Sequence, residues 1–572
     1  MFVLIIQVFA TANVRASPDK YFFKVHIATT QVRIDEVNYI LSELRKIGID
    51  AEVHTMDYNS LLALRDGKSQ SFDQGGWDII AEFLASSPDP DISYYYLSDN
   101  MVPKGNGNFA NFNNAVSDKL LTAASAELNQ TKRKQLYGDW LQLIDDQIPY
   151  VVLFQTKGMV LFSNKVVEGW DQINNWYMSF GTDNIRLAPY VRLQPGLDTY
   201  IVATSYRSPN FIGPLAFSFC RGIASSLVKV QGITGQVYPE LAQSWEYSKD
   251  GLTATFHLRR DAVWSDGVPF TSKDVKFTYD SIMNPDLGAT FGSKFRGIIK
   301  SVEAPDDYTI VLNLSKPYAP LLTMLGFRFG NEIVPFHTLS NIPLKDWRTS
   351  DANLKPGVLP SLGPYKPIEK VEGQYTLYAK NDLWFGWGQD DTQQVNNAPK
   401  YVRHVVIPEA ATALAALEKG DVHFLEHFYK LDAEYPRLSK ETAVHVLTTP
   451  TYYLEDLHIN LNNPVLSNKW VRKAISYAIP RETYVKQVIN GLGIPISLPI
   501  PLSSWAYNPS VKSPHPYDIA QARQFMTTAG YNYDWLAPPE IPYSAYVIGL
   551  VLGVAAGAIV SALIIKTRHK KA

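Results

Sequence analysis

From Tyr546 to Ile565 the sequence runs YVIGLVLGVAAGAIVSALII, twenty residues without a charge. As a helix rising 1.5 Å per residue, this run spans roughly 30 Å, the thickness of a bilayer's hydrocarbon core. Lys566, Arg568, Lys570 and Lys571 follow at once, and no Lys or Arg lies between Arg523 and Lys566. Positive charge stays on the cytoplasmic side, so the sequence predicts a single-pass membrane protein. Residues 566–572 form its cytoplasmic tail and the bulk of the chain lies outside the cell. Pro538, Pro539 and Pro542 make residues 536–545 a stiff spacer, with Tyr543 and Tyr546 at the interface. Gly549, Gly553 and Gly557 recur at four-residue spacing, which gives the span a small-residue face. An external body needs an export signal. Residues 1–20 carry a short apolar run and small residues near Ala16 but no positive start, so they are read as a signal or a truncated leader.

The remaining chain is too long for one ordinary core, and its 572 residues imply two or more lobes. With 46% apolar and 19% charged residues, the composition is globular. A net charge of −2 offers no basic field, which argues against nucleic acid as a partner. The single cysteine, Cys220, excludes an internal disulfide framework and a multi-cysteine metal site. No cofactor motif stands out.

Strand and helix patterns alternate along the body. FFKVHIATT is extended, and a helix follows with Ile34, Val37, Leu41 and Leu44 on one face and a stop at Gly48. IDAEVHTM then alternates as a strand. Thr271 and Asp274 form a capping-box start for a helix bearing Val275, Tyr279 and Ile282 on one face. Asp306 and Asp307 turn the chain into the strand YTIVLNL. Residues 410–419 read as a helix stopped by Gly420, and SNKWVRKAISYAIP as another closed by Pro480. This is the pattern of an α/β protein.

Three stretches carry a family resemblance. One is PELAQSWEYSKDGLTATFHLRRDAVWSDGVPFTSKDVKFTYD, Pro239 to Asp280. A second comprises GPYK (Gly363–Lys366), KNDLWFG (Lys380–Gly386) and ATALAALEKGDV (Ala411–Val422). The third is HINLNNPVLSNKWVRKAISYAIPRE (His458–Glu482) with IAQARQFMTTAGY (Ile519–Tyr531). Together they resemble family 5 of the solute-binding proteins that feed oligopeptide, nickel and oligosaccharide ABC importers. Residues 22–170 look like that family's C-terminal portion, through LRKIGIDAEV, WDIIAEFLASSPDPD and DQIPYVVLFQ. Here that portion comes first. Circular permutation, a piece of a tandem protein, and halves exchanged between two chains are three explanations. A C-terminal anchor in place of an N-terminal lipid is similar to archaeal relatives.

The resemblance implies a two-lobed, periplasmic-binding-protein-like clamp (type II, cluster C) with an extra subdomain, plus one C-terminal transmembrane helix. It assigns residues 21–190 to the family's C-terminal portion and 191–450 to its N-terminal portion. The inserted subdomain falls at about 241–365, and residues 451–535 begin the lobe that the C-terminal portion continues. A hinge is crossed near residues 450 and 150. Solute is enclosed between the lobes, and closure creates the surface that docks on a permease with its ATPase. No bond is made or broken, so the chain is not an enzyme.

In peptide-binding members an aspartate holds the peptide's ammonium. The matching run here, Ala85 to Pro90, puts Ser86 at that position, beside Ser87, with Asp89 three residues on. A hydroxyl supplies no charge for a buried ammonium. This favours a neutral oligosaccharide over an oligopeptide. Asp89 has an alternative role in fixing the turn before Pro90. Tyr94, Tyr95, Tyr96, Tyr452, Tyr453 and Trp505 are candidate stacking platforms, with core packing as the plainer role. His423, Glu426 and His427 spell H-x-x-E-H, a metalloprotease pattern, but the run begins like a strand and follows a helix stop. A surface receptor or adhesion module that keeps the clamp without transport is a further alternative. Asn129 and Asn313 stand in N-glycosylation tripeptides.

Overall fold

The computed structural model describes residues 21–103, 107–168, 188–205, 211–215, 222–232, 234–289, 291–326, 331–387, 398–425, 431–511 and 513–533. The leader, Cys220, Glu426, His427, the spacer, the apolar run 546–565 and the tail lie outside the described residues. Among the described residues no helix is long and apolar enough to cross a membrane.

Two long strands organise the molecule. Tyr150–Ser163 and Val444–Ile459 pair antiparallel, and the register slips between Pro450 and Leu454. Pro450 stands opposite Lys157 and Leu454 opposite Gln155, so the intervening residues on one strand bulge past a single residue of the other. Proline has no N–H for the ladder, which suits it to this irregular point.

On one side of the slip, Leu454–Ile459 pairs with Ile79–Ala85. Phe23–Thr30 and then Ile49–Met56 add in parallel, and Gly493–Pro495 pairs with residues 154–156. On the other side, residues 161–162 pair with Phe424–Leu425. Thr199–Thr204, Tyr401–Val406, Tyr375–Lys380 and Tyr365–Val371 follow in that order. Together these form one sheet of eleven strands.

Local chemistry explains the first unit. Helix Ile34–Arg45 buries Val37, Ile40, Leu41 and Leu44 against the parallel pair. It ends before Gly48, whose φ of +79° is open to glycine. A Cβ there would also lie 2.6 Å from the Phe22 ring, so both backbone and space demand glycine.

Each half of the sheet has its own core. One core draws residues from Val25 to Phe154 and from Leu457 to Met526. The other runs from Val160 to Phe424. The result is an α/β architecture in two lobes joined by the paired long strands. Residues at the two ends of the described chain therefore complete one lobe together.

A separate antiparallel sheet of four strands belongs to the second lobe, in the order Ala242–Tyr247, Thr253–Leu258, Thr309–Leu314 and Ile299–Asp306. Helix Ser272–Met283 covers it. Thr271 and Asp274 satisfy each other's backbone N–H groups at its start, as the capping-box pattern predicts. Val275, Tyr279 and Ile282 are fully buried beneath it. At about 1.5–3 kcal/mol for each such side chain, this contact dominates any contribution from helix propensity.

Candidate functional site

Strand Ile79–Ala85 ends at the lobe boundary, and the loop Ser86–Asp91 continues from it. Ser86 N–H donates to the Tyr452 carbonyl at 2.7 Å, which ties the loop to the bulged strand. Ser87 Oγ donates to the Asp89 carbonyl at 2.6 Å. Asp89 Oδ1 accepts the Asp91 N–H at 3.0 Å across Pro90, the turn role proposed for it from sequence.

Asp89 has a second role that its sequence does not announce. Arg133 grips both carboxylate oxygens at 2.8 and 2.9 Å, and both side chains are buried. Arg133 also donates to the Ala124 carbonyl and to the Tyr137 hydroxyl. Its guanidinium lies 5.2 Å from the centre of the Trp505 ring. Burial opposes the charge on Arg133, but Asp89 outweighs it and holds the pKa above the usual value. Asp89 is thereby committed to a bidentate ion pair, the strong form of this contact.

Asp91 reaches across to the other lobe. Its Oδ2 accepts the Tyr318 hydroxyl at 3.2 Å, and Oδ1 accepts from Ser93 N–H and Ser125 Oγ. Burial favours the neutral acid, but the charge of Lys294 and the Ser93 hydrogen bonds prevail and lower its pKa. Ala319 N–H donates to the Ser125 carbonyl at 2.8 Å. Tyr452 contributes a further link, its buried hydroxyl donating to the Gly232 carbonyl. Gly235 approaches Pro88 closely, with a φ of +72° that favours glycine.

The structure thus brings Ser86, Ser87, Asp89 and Tyr452 together, and joins Trp505 to them through Arg133. Tyr453 points to the opposite face of the strand and packs edge-on against Phe83 at 4.8 Å. Tyr94 is 51% exposed and is the most accessible of the candidate rings. Tyr95 packs edge-on against Tyr94 and its hydroxyl accepts the Ala85 N–H. Tyr96 is fully buried in the core with Trp140, so it offers no platform.

Sequence reading missed Arg133, Asp91 and Tyr318. Arg133 had a usable signal: in helix Gln130–Gln147 it lies on the same face as Tyr137, Trp140, Leu141 and Ile144, an apolar stripe where a lone cation needs a partner. The H-x-x-E-H run enters the short strand Phe424–Leu425 one residue after His423. His423 is buried there, its Nδ1 accepts the Ile201 N–H at 3.1 Å, and burial lowers its pKa to about 4. Asn129 caps helix Gln130–Gln147, while Asn313 donates to Ser301 and Glu303 from within a strand.

These features define a two-lobed α/β protein with a polar seam between its lobes. The chain belongs to the bacterial extracellular solute-binding proteins, family 5, whose model matches residues 236–545. The dipeptide-binding protein of Escherichia coli (strain K12) is 27% identical over 347 residues, covering 56% of this chain and 60% of that protein. The oligopeptide-binding protein AppA of Bacillus subtilis (strain 168) is 29% identical over 294 residues, or 51% of each chain. Among solved structures, NikZ from Campylobacter jejuni in complex with Ni(L-His) is 26% identical. That likeness covers 59% of this chain and 64% of NikZ at a TM-score of 0.45. The chain spans about half the length of the curated relatives it matches.

Proposed function

We propose that this chain is the membrane-anchored, extracellular solute-binding component of an ABC importer, capturing solute between its lobes and presenting it to a permease. One observation carries the reading: several contacts between the lobes gather on or beside the loop Ser86–Asp91 and the strand slip. A clamp needs a flexible crossing and a seam that opens beside it, and hinge residues absorb such motion at irregular points. The slip at Pro450–Leu454 supplies the crossing, and the Asp91–Tyr318 contact is one that opening would break. Residues 25–154 share a core with residues 457–526, which supports circular permutation within one chain as the reason for the unusual order. Anchoring rests on the apolar run 546–565 and its basic tail.

For the solute we favour a neutral, hydroxyl-rich molecule such as an oligosaccharide. Ser86 carries no charge, and Asp89 is already committed to Arg133, so neither offers a free carboxylate for an ammonium group. Tyr94 and Trp505 supply the aromatic surface. Peptide is the second reading, favoured by the names of the Escherichia coli and Bacillus subtilis relatives. Thermal unfolding against oligosaccharides and short peptides separates the two. Ligand at 100 times its dissociation constant adds about 2.7 kcal/mol. A shift with sugars alone supports the first reading, and a shift with peptides alone replaces it with the second. No shift with either class, together with failure to bind a cognate permease, would remove the transport reading.

A further inference from the structure

The outer edge of the first lobe carries a constellation unconnected with the lobe seam. Strands Phe23–Thr30 and Ile49–Met56 run in parallel, with His26 paired to Glu52 and Ala28 to His54. Side chains alternate along a strand, so Val25, Ile27, Ala51 and Val53 face the core while His26, Glu52 and His54 share the other face. His26 Nδ1 and His54 Nε2 stand 2.9 Å apart, and Glu52 Oε1 lies 3.9 Å from His54 Nε2. One ligand atom from each residue falls within 4.8 Å of the other two.

We propose that His26, His54 and Glu52 form a binding site for a divalent transition metal ion of the zinc, nickel and copper class. Metal–imidazole bonds of about 2.0–2.1 Å place two nitrogens on one ion about 3.0–3.4 Å apart, close to the spacing already present. Glu52 is half exposed and needs only a small rotation to bring its carboxylate into the same shell. Two imidazoles and one carboxylate suit these ions rather than magnesium or calcium, which take oxygen ligands. The remaining coordination positions open to water.

The site is held in place before any ion arrives. The Phe72 ring stacks on His26 at 3.7 Å and 12°, and on His54 at 4.8 Å and 22°, which fixes both imidazole planes. Asp78 Oδ2 accepts the His26 backbone N–H at 3.0 Å and anchors the strand beneath it. Lys24 is the competitor: its ammonium lies 3.8 Å from Glu52 Oε2, but both side chains are half exposed, so the pair is weak and yields to an ion.

The experiment uses the full chain, carrying no polyhistidine tag and stripped with EDTA, titrated with Zn²⁺ by calorimetry and with Co²⁺ by visible absorption. One equivalent of each is expected to bind. His26→Gln and His54→Gln should each weaken Zn²⁺ on the order of tenfold or more, and Glu52→Gln by a smaller factor. His257→Gln, at an exposed histidine on the four-stranded sheet, should change nothing. Apo melting curves show whether each variant folds, and Glu52→Gln, altered only at an exposed position, keeps the question open to test if a histidine variant does not. Absence of binding by the unaltered chain at micromolar Zn²⁺ would overturn the proposal. So would equal affinity in His54→Gln and Glu52→Gln, whatever His26→Gln does.

Discussion

Two groups of buried carboxylates lie within the first lobe, and they are balanced in opposite ways. At the seam, Asp89 is matched by Arg133, while Asp91 accepts three hydrogen bonds and feels the charge of Lys294. Around the strand Val444–Ile459, four acids share two guanidiniums. Arg33 binds Glu455 at 2.9 and 3.1 Å, and Arg65 binds Glu82 at 2.5 Å. Glu36 and Asp456 are left over. Burial, with Glu455 adding to it, raises the Glu36 pKa to about 8 against the pull of Arg33. Burial also drives Asp456 well above the carboxylate range and lowers its neighbour His458, 3.3 Å away, to about 4. Asp91 at the seam is held below the usual carboxylate range because partners were brought to it. Glu36 and Asp456 beneath the sheet are pushed above that range because burial outweighs the pull of the shared guanidiniums.

The comparison is broken most severely by removing the seam's cation. Arg133→Met leaves Asp89 buried and unpaired, and should cost about 3–5 kcal/mol in urea unfolding. Adding Asp89→Asn should recover much of that loss, because the stranded charge goes with it.

Glu36→Gln probes the opposite balance. A carboxyl whose pKa rises on folding binds a proton in the native state that the unfolded chain has released. Stability therefore falls as pH rises from about 4.5 to about 8. The glutamine variant should match the unaltered protein near pH 4 and exceed it near pH 8, by an amount on the order of a few kcal/mol. Equal pH profiles would show that Glu36 is charged after all. Smaller still, Tyr318→Phe deletes one hydroxyl from Asp91 across the seam, with an expected loss of about 1–2 kcal/mol. Lys355→Ala, at an exposed pair with Asp351, should change stability to urea least, by under about 0.5 kcal/mol.

What the sequence revealed follows the range of the interactions. Helix Ala410–Lys419 and its stop at Gly420, with a φ of +77°, were legible because periodicity and a left-handed cap are local. So were strand Ile49–Met56 and the Thr271–Asp274 cap. Ser86 and Asp89 were found through a resemblance, yet the Asp89 partner lies 44 residues away and the Arg33 partner 422 away. No window of sequence shows such a pair. The aromatic residues divided for the same reason. Tyr94, Tyr96 and Tyr452 look alike in sequence, and only packing made one exposed and the other two buried.

The lobe core shared between residues 25–154 and 457–526 also bears on how the protein is made. A ribosome adds about 5–20 residues per second, so roughly 15–60 s separate the two halves of that core. Throughout that interval the helix Ile34–Arg45 and its strands lack the partners that cover them, and an apolar face stays open to other chains. The second lobe, gathered between residues 160 and 424, needs no such wait. Birth order thus runs opposite to completion: the earlier-made part of the first lobe is finished after the second lobe.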